Sequence, residues 1–319
     1  MIHTPTSEYC PACGSRQWRS LYTGSDRLYH TTEKTFSVVE CSGCRLLRLY
    51  PWPPLAELAT YYPENYWFAP QASAVSQLEE GYRRLVLGDH VRFVAGAMSA
   101  SDGLVLDVGC GGALFGRLLA DRGFRVAGLD FSSNAASIAW HRNGVPAVTA
   151  DFSTAPFAAG SFAGVTMFHV LEHLYDPSSY IQAAFHLLKP GGHLIVQVPN
   201  AACWQALLFG EHWNGLDIPR HLIDFRADDI QALLKLHGFE ILKTKYFSLR
   251  DNPAGMATSI APSLDPMARR IRRTAETPSV RLIRNLLYFA LVLLSLPFTA
   301  LEAACRAGST VMIDARKPA

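Results

Sequence analysis

Residues 103–118 read GLVLDVGCGGALFGRL, a stretch that leaves the chain little choice of fold. An apolar run ends on an acid, Asp107, and Gly109, Gly111 and Gly112 follow before an apolar pattern of helical period resumes. Strand, tight turn and helix in this order open a doubly wound sheet. In such a sheet, ligands sit at the carboxyl ends of the strands, beside the point where strand order reverses, and glycines let them approach the backbone. A dinucleotide fingerprint counted from Gly109 would place its last glycine where this chain has Leu114. An acid just before the first glycine also repels a pyrophosphate, whereas it accepts hydrogen bonds from an ammonium group. The turn therefore predicts a ligand that carries a cation and no phosphate.

The chain continues the pattern. A helical stretch from Leu78 to Ala97 precedes LVLDV, and the strand patterns FRVAGLD, SFAGVTMF and GGHLIVQVP alternate with the helical patterns NAASIAWHRN, PSSYIQAAFHLLKPG and RADDIQALLKLHGF. This alternation predicts an α/β fold, a doubly wound, mostly parallel sheet covered by helices on both faces. With 319 residues, 49% of them hydrophobic, there is room for one large domain and something smaller. A net charge of +2 gives no overall basic field for nonspecific nucleic-acid binding. The N-terminal MIHTPTSEYC lacks a charged region followed by an apolar one, so no secretory signal and a cytoplasmic location are expected.

Four of the seven cysteines form two matched pairs, Cys10-Pro-Ala-Cys13-Gly and Cys41-Ser-Gly-Cys44. Small residues inside each pair let both thiolates turn inward on a tetrahedral zinc, and residues 14–40 leave room for a hairpin between them. A ribbon this small buries too little surface to fold alone, so the zinc ion is expected to be structural, with all four positions filled. The aromatic, proline-rich YPWPPLAELATYYPENYWFAP and the softer QASAVSQ follow as a connector. The predicted order is a zinc ribbon (1–50), this connector (51–77), the core (78–250), a helical insertion that is basic and then apolar (251–308), and a final strand (309–319).

The glycine turn resembles the first motif of the class I S-adenosylmethionine-dependent methyltransferases, Asp-x-Gly-Cys-Gly-x-Gly, and departs from it only at Ala113. The resemblance covers roughly residues 78–250 and a last strand, and implies a Rossmann-like sheet that binds S-adenosyl-L-methionine. It assigns Asp107, Gly109, Cys110 and Gly111 to the cofactor's amino-acid end, and Asp130 with Phe131 to the ribose. Asp151 and Phe152 would meet the adenine, and His169 would contact the cofactor through its backbone. Read singly, Asp130 before Ser132 fits a helix cap and Asp151 a turn residue. Together with the ribbon and YYPENYW, the chain resembles bacterial methyltransferases that modify sugars or small metabolites.

After the fourth strand comes His169-Val-Leu-Glu172-His173. The string also matches His-x-x-Glu-His, a zinc-peptidase signature that must lie within a helix, whereas here it follows a strand. The segment resembles the ubiquinone-biosynthesis O-methyltransferases, in which the matching Glu and His have been associated with a divalent metal. Transfer of a methyl group to oxygen or nitrogen needs a base for the acceptor's proton. His173 and His221, the latter from WNGLDIPRHLIDF, are the candidates, with Glu172 orienting a histidine. Packing of either histidine in its loop is the competing role. No Asn-Pro-Pro-Tyr-like motif or nucleophilic cysteine follows that strand, which argues against nucleic-acid methylation. The expected activity is methyl transfer to an oxygen, less favourably a carbon or nitrogen, of a small-molecule, glycan or lipid-linked acceptor. The alternatives are a noncatalytic cofactor-binding module and a nucleic-acid or protein methyltransferase guided by the ribbon.

The stretch VRLIRNLLYFALVLLSLPFTALEAACR approaches the roughly 20 apolar residues of a membrane span. Yet STVMIDARK behind it has the pattern of the sheet's final strand, and a single crossing would leave that strand on the wrong side. A helix packed on the protein, a hairpin dipping into one leaflet and a helix in the interface all remain open. Arg269, Arg270, Arg272, Arg273, Arg281 and Arg284 lie beside it, so residues 267–306 are a candidate contact with an anionic membrane surface, placing the protein peripherally on the inner face.

Overall fold

The computed structural model describes residues 7–63 and 74–319, with side chains from residue 80 in the second stretch. Parts of YYPENYW and of the QASAVSQ linker lie at 64–73, outside the described residues. The N-terminal segment forms an antiparallel meander, β1 (Trp18–Gly24), β2 (Phe36–Cys41) and β3 (Leu47–Tyr50), with a short helix α1 (Leu55–Leu58) after it.

Downstream, α2 (Ala74–Ala97) leads into alternating strands and helices. These are β4 (Leu104–Val108), α3 (Leu114–Ala120), β5 (Arg125–Asp130), α4 (Ser133–Asn143), β6 (Ala147–Thr149), β7 (Phe162–Phe168), α5 (Pro177–Leu187) and β8 (Leu188–Pro199). There follow α6 (Trp204–Phe209), β9 (Ile223–Asp224), α7 (Ala227–Leu236), β10 (Glu240–Lys245), α8 (Asn252–Ile260), α9 (Pro266–Ile271), α10 (Pro278–Ala304) and β11 (Thr310–Arg316). The main sheet runs β10-β11-β8-β7-β4-β5-β6, parallel except where β11 pairs with β8 and β10. Strand order reverses between β4 and β7, so the ends of these two strands flank the crevice where a ligand is expected.

Burial follows from the period of two. Val105 joins Leu114, Phe115 and Leu119 of α3 and Val91 and Val94 of α2 on one face, while its neighbour Leu106 joins Val165, Met167 and Ile181 on the other. Buried on both faces, β7 is mostly apolar and is buried without a break from Phe162 to Met167, with Thr166 its one polar side chain.

The ribbon is welded to this core. Its fourth strand is β9, which pairs Leu47 with Asp224 and Arg48 with Ile223. Val38, Leu49 and Trp52 share one apolar cluster with Leu222, Ile223 and Phe225. The loop that leads into β9 is thereby held between the ribbon and the sheet.

Candidate functional site

The turn after β4 is built for close approach. The N–H groups of Gly109 and Cys110 both donate to the Leu129 carbonyl, at 2.8 and 3.1 Å, which ties the turn to the end of β5. Gly109 has φ +69°, and a Cβ there would lie 2.7 Å from Val170. Ala113 sits in the left-handed region at φ 55°, so this chain adopts with alanine a conformation that favours glycine. The Cys110 thiol lies against Gly128 of β5.

Asp107, buried at the end of β4, accepts a 2.7 Å hydrogen bond from the Thr166 hydroxyl. Burial pushes its carboxyl up to about 7, opposed by that hydroxyl and assisted by the charge of Asp130. Asp130 accepts from the Gly111 N–H at 2.8 Å and the Ser132 N–H at 2.9 Å, so it braces the turn, and each oxygen keeps a lone pair. The cap of α4 is Ser132. Asp107, Gly109, Cys110, Gly111, Asp130, Phe131, His169, His173 and His221 all line one cavity of about 650 Å³.

Asp151 and Phe152 do not line it. Asp151 caps a short turn through the Ser153 N–H at 2.8 Å and accepts from the Tyr180 hydroxyl at 3.3 Å, as its turn-residue role requires. Phe152 is buried against the Tyr180 ring, at 5.5 Å between centroids. Tyr180 and Ala150 take their place on the cavity wall.

At the end of β7 the chain turns sharply, with His169 at φ 57°, and Leu171–His173 form one turn of 3₁₀ helix. His169 and His173 therefore do not share a helix face, which removes the zinc-peptidase alternative. His169 Nδ1 lies 2.9 Å from Glu172 Oε1, and the Gln197 amide and Asp251 flank its Nε2. Burial disfavours charge on His169, but Asp251 and Glu172 outweigh it and raise its pKa to about 9. Burial equally disfavours charge on Glu172, yet His169 holds that carboxyl below its ordinary range.

Beyond Glu172, His173 and His221 meet with ring centroids 4.7 Å apart. Their tautomers follow from carbonyl partners that can only accept. His173 Nδ1–H donates to the Arg220 carbonyl at 3.0 Å and lies 3.1 Å from the Tyr62 hydroxyl; His221 Nδ1–H donates to the Gly215 carbonyl at 2.7 Å. Each Nε2 is left as an acceptor. Burial, reinforced by neighbouring His173, lowers the His221 pKa to about 4, so that ring is neutral near pH 7. Glu172 Oε2 is buried with no hydrogen-bond partner among the described residues. Ligand atoms of Glu172, His173 and His221 lie within 4.8 Å of one another, an acceptor-only cluster that suits a proton donor or a divalent cation. Two imidazoles and one carboxylate are ligands for a zinc-like ion rather than for magnesium.

Sequence reasoning missed what holds this cluster. Arg220, with no exposed surface, forms a two-pronged pair with Asp26 of the ribbon at 2.8 and 2.9 Å and a second with Asp217 at 2.7 and 3.0 Å. The Tyr29 ring lies 4.3 Å from its guanidinium carbon.

The four ribbon cysteines converge, with Cys10 and Cys44 sulfurs 3.5 Å apart, Cys13 and Cys41 likewise, and all four within 4.8 Å. Zn–S bonds of about 2.3 Å in a tetrahedron need sulfurs about 3.8 Å apart, so the cluster fits zinc. Each pair closes on the same turn. Gly14 donates to the Cys10 carbonyl and Arg45 to that of Cys41, and both donors are left-handed, at φ 72° and 67°.

Comparison with known proteins agrees with this geometry. A family described as a methyltransferase domain matches residues 79–244. The ubiquinone biosynthesis O-methyltransferase of Pectobacterium atrosepticum is 33% identical over 130 residues, 38% of this chain and 54% of that protein. A Mycolicibacterium smegmatis protein named a probable S-adenosylmethionine-dependent methyltransferase is 31% identical over 198 residues, 60% of this chain and 64% of its own length. The match thus spans 54% and 64% of the length of these two relatives. A solved structure from Galdieria sulphuraria, named for a sarcosine dimethylglycine methyltransferase, shares the fold with a TM-score of 0.50 at 14% identity, covering 76% of this chain and 88% of that one.

Proposed function

The chain belongs to the methyltransferase-domain family, and from that premise we propose that it transfers a methyl group from S-adenosyl-L-methionine to an oxygen of a small metabolite or of a glycan or lipid-linked precursor. Carbon and nitrogen acceptors are the lesser alternatives. The observation that carries this reading is the cavity itself, which joins the glycine turn with Asp107 and Asp130 at one end to two histidine acceptors at the other. The relative named for O-methyl transfer supports oxygen.

S-Adenosylmethionine would supply a methyl group activated on a sulfonium sulfur. Asp107 would hold its ammonium and Asp130 its ribose hydroxyls, while the turn's backbone sets the depth of binding. His173 takes the acceptor's proton on Nε2, since the Arg220 carbonyl fixes its Nδ1–H. His221, with a pKa near 4, is too weak a base near neutral pH and instead accepts a hydrogen bond from the acceptor. Where a divalent metal is needed, Glu172, His173 and His221 would hold it, and such an ion would make the acceptor hydroxyl more acidic in place of the His173 base, whose Nε2 it would occupy.

Asp107→Ala and Asp130→Ala should each weaken S-adenosylhomocysteine binding by about 1.5 to 3 kcal/mol, the scale of a lost charge-assisted hydrogen bond. Unchanged affinity in both, measured by calorimetry, overturns the assignment. The pH dependence has a definite sign. Asp107 is raised to about 7 in the free protein, and an ammonium needs its ionised form. Affinity should therefore be full above pH 7 and fall by up to about tenfold per unit below it, with proton release on binding near pH 6. Asp107→Ala should flatten this profile.

We further propose one structural zinc on Cys10, Cys13, Cys41 and Cys44 and a cytoplasmic location. Cys41→Ser should abolish the zinc found by elemental analysis and expose residues 7–50 to protease, while S-adenosylhomocysteine still binds. A metal-free chain whose ribbon stays protected refutes the site.

A further inference from the structure

The helix α10 is inside out. Its inward stripe, which recurs every three or four residues, carries Asn285, Tyr288, Ser295, Thr299 and Glu302, with Val292 as its one buried aliphatic residue. Ser295 and Thr299 bond back to carbonyls of their own helix, whereas Asn285, Tyr288 and Glu302 have partners on other elements. The Tyr288 hydroxyl lies 2.9 Å from that of Thr258, Asn285 meets Arg269, and Glu302 accepts from the backbone and side chain of Gln205 at 3.0 and 2.9 Å. The outward face carries Leu282, Ile283, Leu286, Leu287, Leu293 and Leu294, each between 49% and 76% exposed. A helix of a water-soluble surface has the opposite arrangement. Beside it on α6, which meets α10 where Trp204 approaches Phe298, Leu207 and Leu208 are 82% and 61% exposed. So large an apolar face signals a partner.

By length and composition α10 could cross a membrane, with a mean hydropathy of 1.9. Its packing forbids this, because the inward stripe is bound to α6, α8 and α9 from Asn285 to Glu302 and β11 is back in the sheet by Thr310. A crossing helix would have to leave those polar groups without partners.

We propose that the outward face of α10, with Leu207 and Leu208, docks the protein in the plane of an anionic lipid surface. The occupant follows from charge. Between residues 265 and 308 the acids are all turned inward: Asp265 receives the Thr258 hydroxyl, Glu276 pairs with Arg269 and Arg284, and Glu302 binds Gln205. Arg269 and Arg272 are also used internally, Arg272 donating to the Arg27 carbonyl at 2.8 Å. The ionic residues of this segment left exposed are Arg273 between α9 and α10, Arg281 in the first turn of α10 and Arg306 just past its end. Along residues 265–308 the apolar face is therefore flanked by exposed cations and by no exposed acid, which matches acyl chains beneath anionic headgroups; on the α6 side Glu211 is exposed beyond Leu208.

The test uses the full chain and vesicles of phosphatidylcholine with or without phosphatidylglycerol. The protein should sediment with the anionic vesicles at low ionic strength and be released by salt. Leu286→Glu combined with Leu294→Glu should reduce partitioning by at least about tenfold. Arg273→Gln combined with Arg281→Gln should weaken it and flatten its salt dependence. Unchanged S-adenosylhomocysteine affinity in these variants shows that the fold survives. Failure of the wild type to sediment, or sedimentation that ignores the leucine substitutions, overturns the proposal. So does a dimer seen by light scattering without vesicles that the leucine substitutions dissolve, which would assign the face to a second copy.

Discussion

His173→Ala is expected to lower turnover by about 10²-fold or more while S-adenosylhomocysteine affinity stays within about a factor of two. The ring stands on the acceptor side of the cavity, and none of its contacts holds the glycine turn or the two acids. Loss of its Nε2 leaves the acceptor's proton without a base, so the effect belongs in kcat. His173→Gln keeps a hydrogen-bond acceptor but cannot take a proton, so it should be nearly as slow as the alanine variant. A merely packing role predicts instead that glutamine restores the rate. His221→Ala and Glu172→Gln should each cost less in kcat and more in acceptor KM, because they would position the acceptor or a metal. If neither His173→Ala nor His221→Ala slows transfer to the true acceptor, alignment alone drives the reaction.

The division between what could be read and what could not follows sequence distance. The turn of Asp107 and Gly109 was legible because strand end, glycines and helix start are adjacent, and β11 was legible because an apolar run of period two has few places to go in such a sheet. Asp130 and Asp151 sit at strand ends as expected, but one braces Gly111 and the other caps a turn beside Tyr180. A strand-end acid cannot announce whether its neighbours or a ligand will satisfy it. His169 was assigned through its backbone, and what its side chain does, orienting Glu172, was hidden because Gln197 and Asp251 come from β8 and the start of α8. The composition of α10 revealed an apolar helix, but its polar inward stripe is defined only by distant partners such as Gln205, 97 positions away. Asp26 and Arg220 lie 194 positions apart, and no local pattern pairs them.

That last pair should give the largest change in stability. Asp26→Ala is expected to destabilise the protein by about 3 to 5 kcal/mol, since it leaves a buried guanidinium short of one of two carboxylates. Burial opposes ionisation of Asp26, yet the Arg220 hydrogen bonds and charge hold its carboxyl well below the ordinary carboxylate range. A depressed carboxyl contributes stability that is complete above the unfolded value of about 3.9 and is lost as pH falls below it. Urea midpoints of the wild type should therefore fall progressively as the pH is lowered below about 4, and Asp26→Asn should remove part of that slope. The consequence reaches the chemistry, because the carbonyl of the same Arg220 orients His173. Asp26→Asn should thus lower kcat more than it weakens S-adenosylhomocysteine binding, although Asp26 belongs to the ribbon. A variant that stays within about 1 kcal/mol of the wild type and keeps its turnover would show that β9 and the shared apolar core are enough to hold the loop without the ion pair.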